Sequence, residues 1–214
     1  MLNNTIVYEA YPKVPVQQFI PELSFEFSDM PEDGFAHFVL SAINTFARRS
    51  NVLRRKATIR VTQCVDNYLL EPQDCVDIVA IMGIRMLRPT CGSRILRLTG
   101  EPGDVWWGVQ SWFEAPNVIH ITNTSCNSEY EVYFSVAPRY DACEVDEILL
   151  TQYSEAILAG ARAKLYGLGN KPWSSLQRME YHERLFDKAI RAAAVEALTG
   201  GQRGAIKARR PRMF

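Results

Sequence analysis

The strongest constraint on the fold lies in residues 142–199, where apolar residues recur at helical spacing on both sides of a glycine-containing turn. In the first half, Ala159-Gly160-Ala161 leaves one face narrow, so another helix can approach it closely. These features predict a hairpin of two long helices. We expect Asn170 to cap the second helix, Pro172 to lie in its first turn, and Gly200-Gly201 to end it.

Two residues of the turn are predicted to fix the hairpin geometry. Pro172 would start the last helix because its fixed φ suits a first turn, and Trp173 would bury its ring against the end of the preceding helix. Acids precede the first helix of the hairpin at Glu144, Asp146 and Glu147. The helix dipole favours acids in an opening turn, so these carboxylates indicate a helix start and not a catalytic pair.

The first part of the chain changes character near Pro31. Residues 1–28 are interrupted by prolines, which predicts an extended arm instead of a helix. Residues 29–56 are assigned to the first helix of a bundle, with Ser28 or Asp29 as its cap. Its predicted buried face consists of Phe35, Phe38, Val39, Ala42, Ile43 and Phe46.

Residues 57–140 are predicted to be a β-rich insertion. Val118–Thr122 and Tyr130–Val136 alternate apolar and polar residues, which predicts two strands that each bury one face. Val105 to Phe113 reads as one further strand with Trp106 and Trp112 on the same face. Two explanations stay open for this strand: one face meets a tail component or another subunit, or both faces are buried within a sandwich.

Charge and cysteine usage exclude several classes of protein. Lys plus Arg equals Asp plus Glu at 24 each, so the whole chain makes no electrostatic case for nucleic acid. The five cysteines are an odd number without a Cys-x-x-Cys pair, which predicts reduced, partly buried thiols and no zinc site. Neither a signal peptide nor a membrane span is evident, so we expect a soluble protein.

The basic residues fall into two clusters, and the histidines do not cluster at all. The first cluster is Arg48, Arg49, Arg54, Arg55 and Lys56, and the second is Arg203, Lys207, Arg209, Arg210 and Arg212 in a tail without acids. The histidines His37, His120 and His182 share no ligand spacing, and we place His182 on the exposed side of the last helix. No phosphate loop or nucleophile elbow is present, so the sequence predicts no metal, no cofactor and no enzymatic activity.

Several segments, taken in order, resemble the head-to-tail adaptor (connector) proteins of tailed bacteriophages. They are Val14-Pro15, the stretch Ala42 to Val52, the strand Ala57 to Thr62, Tyr68-Leu69-Leu70-Glu71-Pro72, Tyr153 to Ala161, Lys171-Pro172-Trp173, and Tyr181, Phe186 and Ile190. The resemblance covers most of the chain. It implies an α+β fold: a small bundle of one N-terminal helix plus a C-terminal helical hairpin (142–199), a β-rich insertion, an extended N-terminal arm and a C-terminal tail (200–214).

The resemblance also implies a function without a reaction. Such adaptors form a ring, in most cases a dodecamer, that docks on the portal protein and continues its DNA channel towards tail proteins (nozzle, terminator or tube). The expected location is the neck of the virion, after synthesis in the host cytoplasm, with no contact to a membrane.

The tail is expected to insert into the portal, where its charges meet acidic rims and its apolar residues fill a pocket. The predicted portal-binding residues are Arg203, Ile206, Lys207, Arg209, Arg210, Arg212 and Phe214. The alternatives are a nucleic-acid-binding module that uses the two basic clusters, and a tail terminator or head-completion protein.

Overall fold

The computed structural model describes residues 7–8, 11–27, 30–62, 67–71, 75–88, 105–106, 109–115, 117–122 and 128–199. In this part of the chain, helices at both ends flank a region of strands, which confirms the predicted α+β class. The helices are α1 (Ile20–Ser24), α2 (Glu32–Ser50), α3 (Glu147–Thr151), α4 (Ser154–Tyr166) and α5 (Leu176–Thr199), with a 3₁₀ helix at Val16–Phe19. The strands are β1 (Val7–Tyr8), β2 (Lys13–Pro15), β3 (Arg54–Val61), β4 (Asn67–Leu69), β5 (Val76–Arg88), β6 (Val105–Trp106), β7 (Val109–Ala115), β8 (Val118–Thr122), β9 (Ser128–Pro138) and β10 (Glu144–Asp146).

Helix α2 buries the face that its sequence predicted. Phe35, Val39, Ile43 and Phe46 follow one another at intervals of three or four residues and are at most 1% exposed. This apolar stripe packs α2 against α4 and α5 on one side and against strand β9 on the other. Helix α2 is therefore the element that the bundle and the sheet share.

The start of α2 differs from the prediction, whereas its end at Ser50-Asn51 is the one that the sequence indicates. The N-cap is Pro31, whose backbone is extended, whereas the predicted caps Ser28 and Asp29 lie outside the described residues. At the other end, Asn51 takes a left-handed conformation with φ of 52°, which asparagine tolerates. Strand β3 begins three residues later, so the helix is shorter than the segment 29–56 assigned to it.

The predicted extended arm is wrong for residues 16–24, which are helical. The prolines do not prevent this because each stands at a helix start: Pro15 is the N-cap of the 3₁₀ helix, and Pro21 is in the first turn of α1. Packing supplies the driving force. Val16, Phe19, Leu23 and Phe27 are buried in the main core.

Four antiparallel strands form the sheet that packs on α2, in the order β1-β3-β9-β5. The apolar face predicted for β9 is confirmed, since Tyr130, Val132, Phe134 and Val136 are all at most 1% exposed. On the opposite face, which was predicted to be open, Ser135 is fully buried as well. Its two neighbours bring apolar residues to the same core, among them Ile59 of β3. The sheet thus has one face in the core.

A second antiparallel sheet has the order β4-β8-β7-β6. Strand β8 has the predicted bounds, and Ile119 and Ile121 are both fully buried as predicted. The single strand predicted from Val105 to Phe113 is wrong: β6 and β7 run antiparallel, with Trp106 paired to Val109. The strand predicted around Arg94 lies outside the described residues.

The helical hairpin contains three helices instead of two, because α3 and α4 are separated at Gln152 and Tyr153. The backbone of Tyr153 leaves the helical region with φ of −123° and ψ of 12°, and its ring lies 5.1 Å from that of Phe46. The acids predicted at a helix opening do stand there, since Asp146 is the N-cap of α3 and Glu147 its first residue. Glu144 and Asp146 also belong to strand β10, which pairs antiparallel with β2. That pairing fixes where the hairpin starts relative to the N-terminal segment.

The predicted close approach of two helices occurs at Gly160. Helices α4 and α5 pack together there, and a Cβ placed on Gly160 would stand 2.8 Å from the ring of Phe186. That distance is well inside van der Waals contact, and the Phe186 ring is itself only 6% exposed and packs on Phe46. A residue larger than glycine at position 160 would therefore displace the Phe186 ring.

Gly160→Ala should reduce the free energy of unfolding by ~1–3 kcal/mol, the typical cost of overfilling a packed core. Chemical denaturation followed by far-UV circular dichroism measures this. Gly169→Ala is the matched control, because nothing lies within 4 Å of a Cβ at that position. If the two variants had the same free energy of unfolding, α4 and α5 would be able to move apart at Gly160 without loss of stability.

A buried ion pair joins β3 to β10. Nη2 of Arg55 lies 2.6 Å from both carboxylate oxygens of Asp146, and the two side chains are 12% and 8% exposed. The ring of Tyr11 lies 3.8 Å from the guanidinium carbon, a cation–π contact. The sequence analysis placed Arg55 in a basic cluster, but its charge is neutralised by Asp146. Asp146 is also the N-cap of α3, which confirms its predicted place at a helix opening.

Asp146→Asn should cost ~3–5 kcal/mol of unfolding free energy, because it leaves the Arg55 guanidinium buried without a counter-charge. Glu129→Gln is the matched control. It breaks the pair between Glu129 and Arg60, whose side chains are 36% and 70% exposed, respectively, so it should cost less than ~1 kcal/mol of unfolding free energy. Denaturant unfolding at neutral pH compares the two. Similar losses would mean that water reaches the Arg55 pair.

Candidate functional site

The turn between α4 and α5 is built differently from the prediction. Helix α5 starts at Leu176, and Ser175 acts as its cap: the Ser175 carbonyl accepts from the Met179 N–H at 2.9 Å. Asn170 does not cap the helix but reverses the chain in a left-handed conformation with φ of 60°. Pro172 therefore lies within the turn and does not start α5.

Trp173 packs this turn against the N-terminal segment. Its ring is half-buried and meets Phe27 edge to face at 5.9 Å, while Phe27 meets Tyr166 at 5.0 Å. The Lys171 ammonium lies 5.8 Å from the Trp173 ring centroid. The sequence predicted the packing of Trp173 against the end of α4, but Phe27 could not be identified because its segment was expected to be extended.

Polar groups surround Tyr166 at the same end of the bundle. Glu26 accepts hydrogen bonds from the Tyr166 hydroxyl and from Nε of Arg162, the latter at 2.8 Å. Arg178 donates to the Tyr166 hydroxyl at 3.3 Å. Burial raises the pKa of the Glu26 carboxyl, but the hydrogen bonds from Tyr166 and Arg162 outweigh burial and leave this pKa below its usual value.

His182 belongs to this group and is not on the exposed side of α5, so the prediction for it is wrong. Its ring stacks on Tyr166 with centroids 5.6 Å apart and planes 13° from parallel. The Nδ1 atom is buried and has no hydrogen-bond partner among the described residues. Burial lowers the pKa of His182, and the positive charge of Arg162 lowers it further. The imidazole is held neutral at pH 7.

Stability should fall as the pH drops below ~6.5, the ordinary pKa of histidine, because the unfolded chain then binds a proton that folded His182 resists. His182→Gln should lose less unfolding free energy between pH ~7.5 and ~5.5 than the parent. Denaturation at both pH values measures this, with His37→Gln as the control because His37 is exposed on α2. If His37→Gln changed the pH dependence as much, His182 would not be its source.

The outward side of α5 carries large apolar side chains without cover. Tyr181, Leu185 and Val195 follow at helical spacing and are 59%, 40% and 59% exposed. The opposite side of the helix holds the buried residues Phe186, Ile190 and Ala193. Between the outward apolar residues lie three exposed cations, Arg184, Lys188 and Arg191. We name this surface the α5 stripe. Aromatic, apolar and basic groups together are typical of a protein–protein contact.

The first basic cluster is largely neutralised by acids of the same chain. Arg48 lies 2.9 Å from Asp77, Arg49 2.7 Å from Asp187, and Lys56 3.8 Å from Glu131. With the Arg55–Asp146 pair, four of its five cations have a carboxylate partner. Little of this cluster's positive charge is available to a phosphate backbone.

Other predicted site residues fall outside the description. The tail residues Arg203, Ile206, Lys207, Arg209, Arg210, Arg212 and Phe214 lie outside the described residues. For Trp106 and Trp112 the structure gives the backbone in β6 and β7, and their side chains also lie outside the description. The cysteines Cys75 and Cys143 are exposed, contrary to the expected partial burial.

Two searches of the described residues gave negative results. They contain no group of three or more His, Cys, Asp or Glu side chains that could hold a metal ion. Across the same ranges, no helix combines the length and the apolar character that a membrane span needs.

Comparison with known proteins gave a likeness of structure. No protein-family model matches the sequence, and no curated protein matches it. A chain from a solved structure of the neck of an empty GTA particle, computed with C6 symmetry, is 17% identical over 86% of this chain and 94% of that chain. The TM-score of the pair is 0.27, so nothing about the present chain is concluded from it.

Proposed function

We propose that this chain is a structural protein of a tailed-bacteriophage-type virion: a head-to-tail adaptor that docks on the portal ring and links it to the tail. In this proposal, copies of the chain form a ring, the helices build its wall, and the ring continues the DNA channel. The partners are the portal protein, tail proteins and further copies of the chain. Function then depends on contacts between surfaces, with no reaction and no cofactor.

The observation that supports the proposal most directly is the α5 stripe. It exposes three large apolar side chains on the second helix of the hairpin, on the side away from the core. Keeping such groups in water costs free energy that a partner surface recovers. The segments that resemble adaptors include Tyr181 of this stripe together with Phe186 and Ile190 of the buried side, so one helix serves both the core and the contact.

The packing of the helical bundle is compatible with its proposed place in the wall of the ring. Helix α2 lies between the hairpin and strand β9, and its side chains bind both: Asn44 Nδ2 donates to the Pro138 carbonyl at 2.7 Å, and Arg49 pairs with Asp187 of α5. A subunit held in this way presents its surfaces at fixed positions, as repeated contacts around a ring require.

The second candidate function, a nucleic-acid-binding module, needs free positive charge. Four of the five cations in the first cluster pair with carboxylates. A nucleic-acid-binding module would therefore have to bind mainly through the basic tail. In a channel, by contrast, DNA passes without being bound tightly. The paired cluster therefore favours the adaptor.

Deleting residues 203–214 tests the proposal, because these residues carry five cations and no acid and are proposed to insert into the portal. Co-sedimentation with purified portal rings should fall by ~10-fold or more, the loss expected when a hot-spot segment is removed. DNA binding in free solution, measured against salt concentration, should be weak for both proteins.

The matched control is Arg54→Ala, which removes an exposed cation of the first basic cluster and should leave docking unchanged. Undiminished docking after the deletion would contradict the insertion of the tail. Full docking together with a loss of tight, steeply salt-dependent DNA binding would support the nucleic-acid module instead.

A further inference from the structure

An exposed aromatic residue at the end of α1 belongs to an acidic stretch of the sequence. Residues 20–34 contain five acids and no Lys or Arg. Within this segment Phe25 is 91% exposed, more than any other large hydrophobic residue among those described. Glu22 is exposed one turn before it on α1. A phenylalanine so far out of the core, beside an exposed carboxylate, is typical of a contact residue.

The α5 stripe is the chemical complement of this segment. Tyr181, Leu185 and Val195 offer apolar surface, and the cations Arg184, Lys188 and Arg191 are exposed among them. Of these cations, Arg184 shares its charge with Glu180 at 3.3 Å, while Lys188 and Arg191 have no acidic partner in the described part of the chain. An aromatic side chain flanked by carboxylates would find both apolar and ionic partners here.

The two surfaces come together at Tyr166 within one copy. Glu26, next to Phe25, accepts from the Tyr166 hydroxyl, and Arg178 and His182 of α5 contact the same residue. Phe25 itself is 91% exposed, so it does not lie on the α5 stripe of its own copy. Both surfaces are therefore open to a second copy.

We propose that Phe25 and Glu22 of one copy bind the α5 stripe of the next copy. Phe25 packs between Tyr181 and Leu185, and Glu22 pairs with Lys188. The contact joins two different surfaces, so when it repeats head to tail with a rotation that closes, it forms a ring. This inference rests on the proposed function, for which it names the contact between subunits. It concerns contacts between copies only, so it is tested without the portal.

The experiment replaces Phe25 by the photoreactive p-benzoyl-phenylalanine, which keeps an aromatic ring at the contact. The free protein is expected to be a monomer or weakly associated, since the contact joins small surfaces, so irradiation serves to trap transient pairs. Irradiated protein at high concentration should give dimers and a ladder of higher species on denaturing gels. Mass spectrometry should locate the adducts on α5, between Tyr181 and Val195.

Charge exchange tests the ionic part of the contact. Glu22→Lys and Lys188→Glu should each reduce the adduct yield by ~3-fold or more, and the double variant should restore it, because the pair is then re-formed with reversed signs. Glu144→Lys is the matched control: Glu144 is an exposed acid on β10, outside the proposed contact, and should leave the yield unchanged.

Other outcomes overturn the proposal. Adducts on residues 20–34 would mean a symmetric contact between two α1 ends, and adducts on residues 140–148 would move the partner surface to the acidic region before α3. Adduct yields independent of concentration, or no adducts on α5, would likewise reject the contact. If the protein formed the α5 adducts but did not bind portal rings, the contact between copies would stand and the proposed function would be rejected.

Discussion

The arrangement of the described chain depends on the buried pair between Arg55 and Asp146. Both charges are largely out of water, and a single guanidinium nitrogen lies 2.6 Å from both carboxylate oxygens. Removing either charge from water is costly, so neither side chain is stable in this position without the other. The two residues are 91 positions apart, and the Tyr11 ring brings a third segment to the same point. The pair therefore joins the N-terminal segment, the first long strand and the start of the hairpin.

The position of every later element follows from that junction. Strand β10 pairs with β2 and leads directly into α3, and the break at Tyr153 redirects the chain into α4. Helix α4 then presents Gly160, which allows α5 to approach until Phe186 lies against the glycine backbone. A helix placed so closely buries Phe186, Ile190 and Ala193 and turns its other side outward. The contact surface on α5 is in this sense a consequence of the junction and of one glycine.

Sequence periodicity predicted the elements whose one face is buried. Helix α2 and strands β8 and β9 carry apolar repeats of 3.6 or 2 residues on the side that faces the core. The Gly160 approach was also predictable, since three small residues in a helix leave space for little else than a neighbouring helix.

The features that the sequence did not predict are those that depend on contacts with residues far away in the chain. Prolines at a helix start and prolines in an extended arm have the same local signature, and only the burial of residues such as Phe19 and Leu23 distinguishes the two. The partner of Arg55 lies too far along the chain for any local pattern to identify. His182 looked exposed because its neighbours Tyr181 and Glu183 are exposed, whereas its own ring lies on Tyr166.

The distribution of charge bears on how copies of this chain would recognise one another. Positive and negative residues balance at 24 each, yet residues 20–34 carry acids alone, whereas exposed cations lie among the apolar residues of the α5 stripe. Like patches repel, so a symmetric contact between two α1 ends or between two α5 stripes is disfavoured, whereas the contact between unlike patches is attractive. Segregated charge in a chain without net charge thus selects the direction of assembly and adds little to its strength. A contact of this kind weakens as salt rises, and its apolar centre, Phe25 on Tyr181 and Leu185, is the part that salt does not screen.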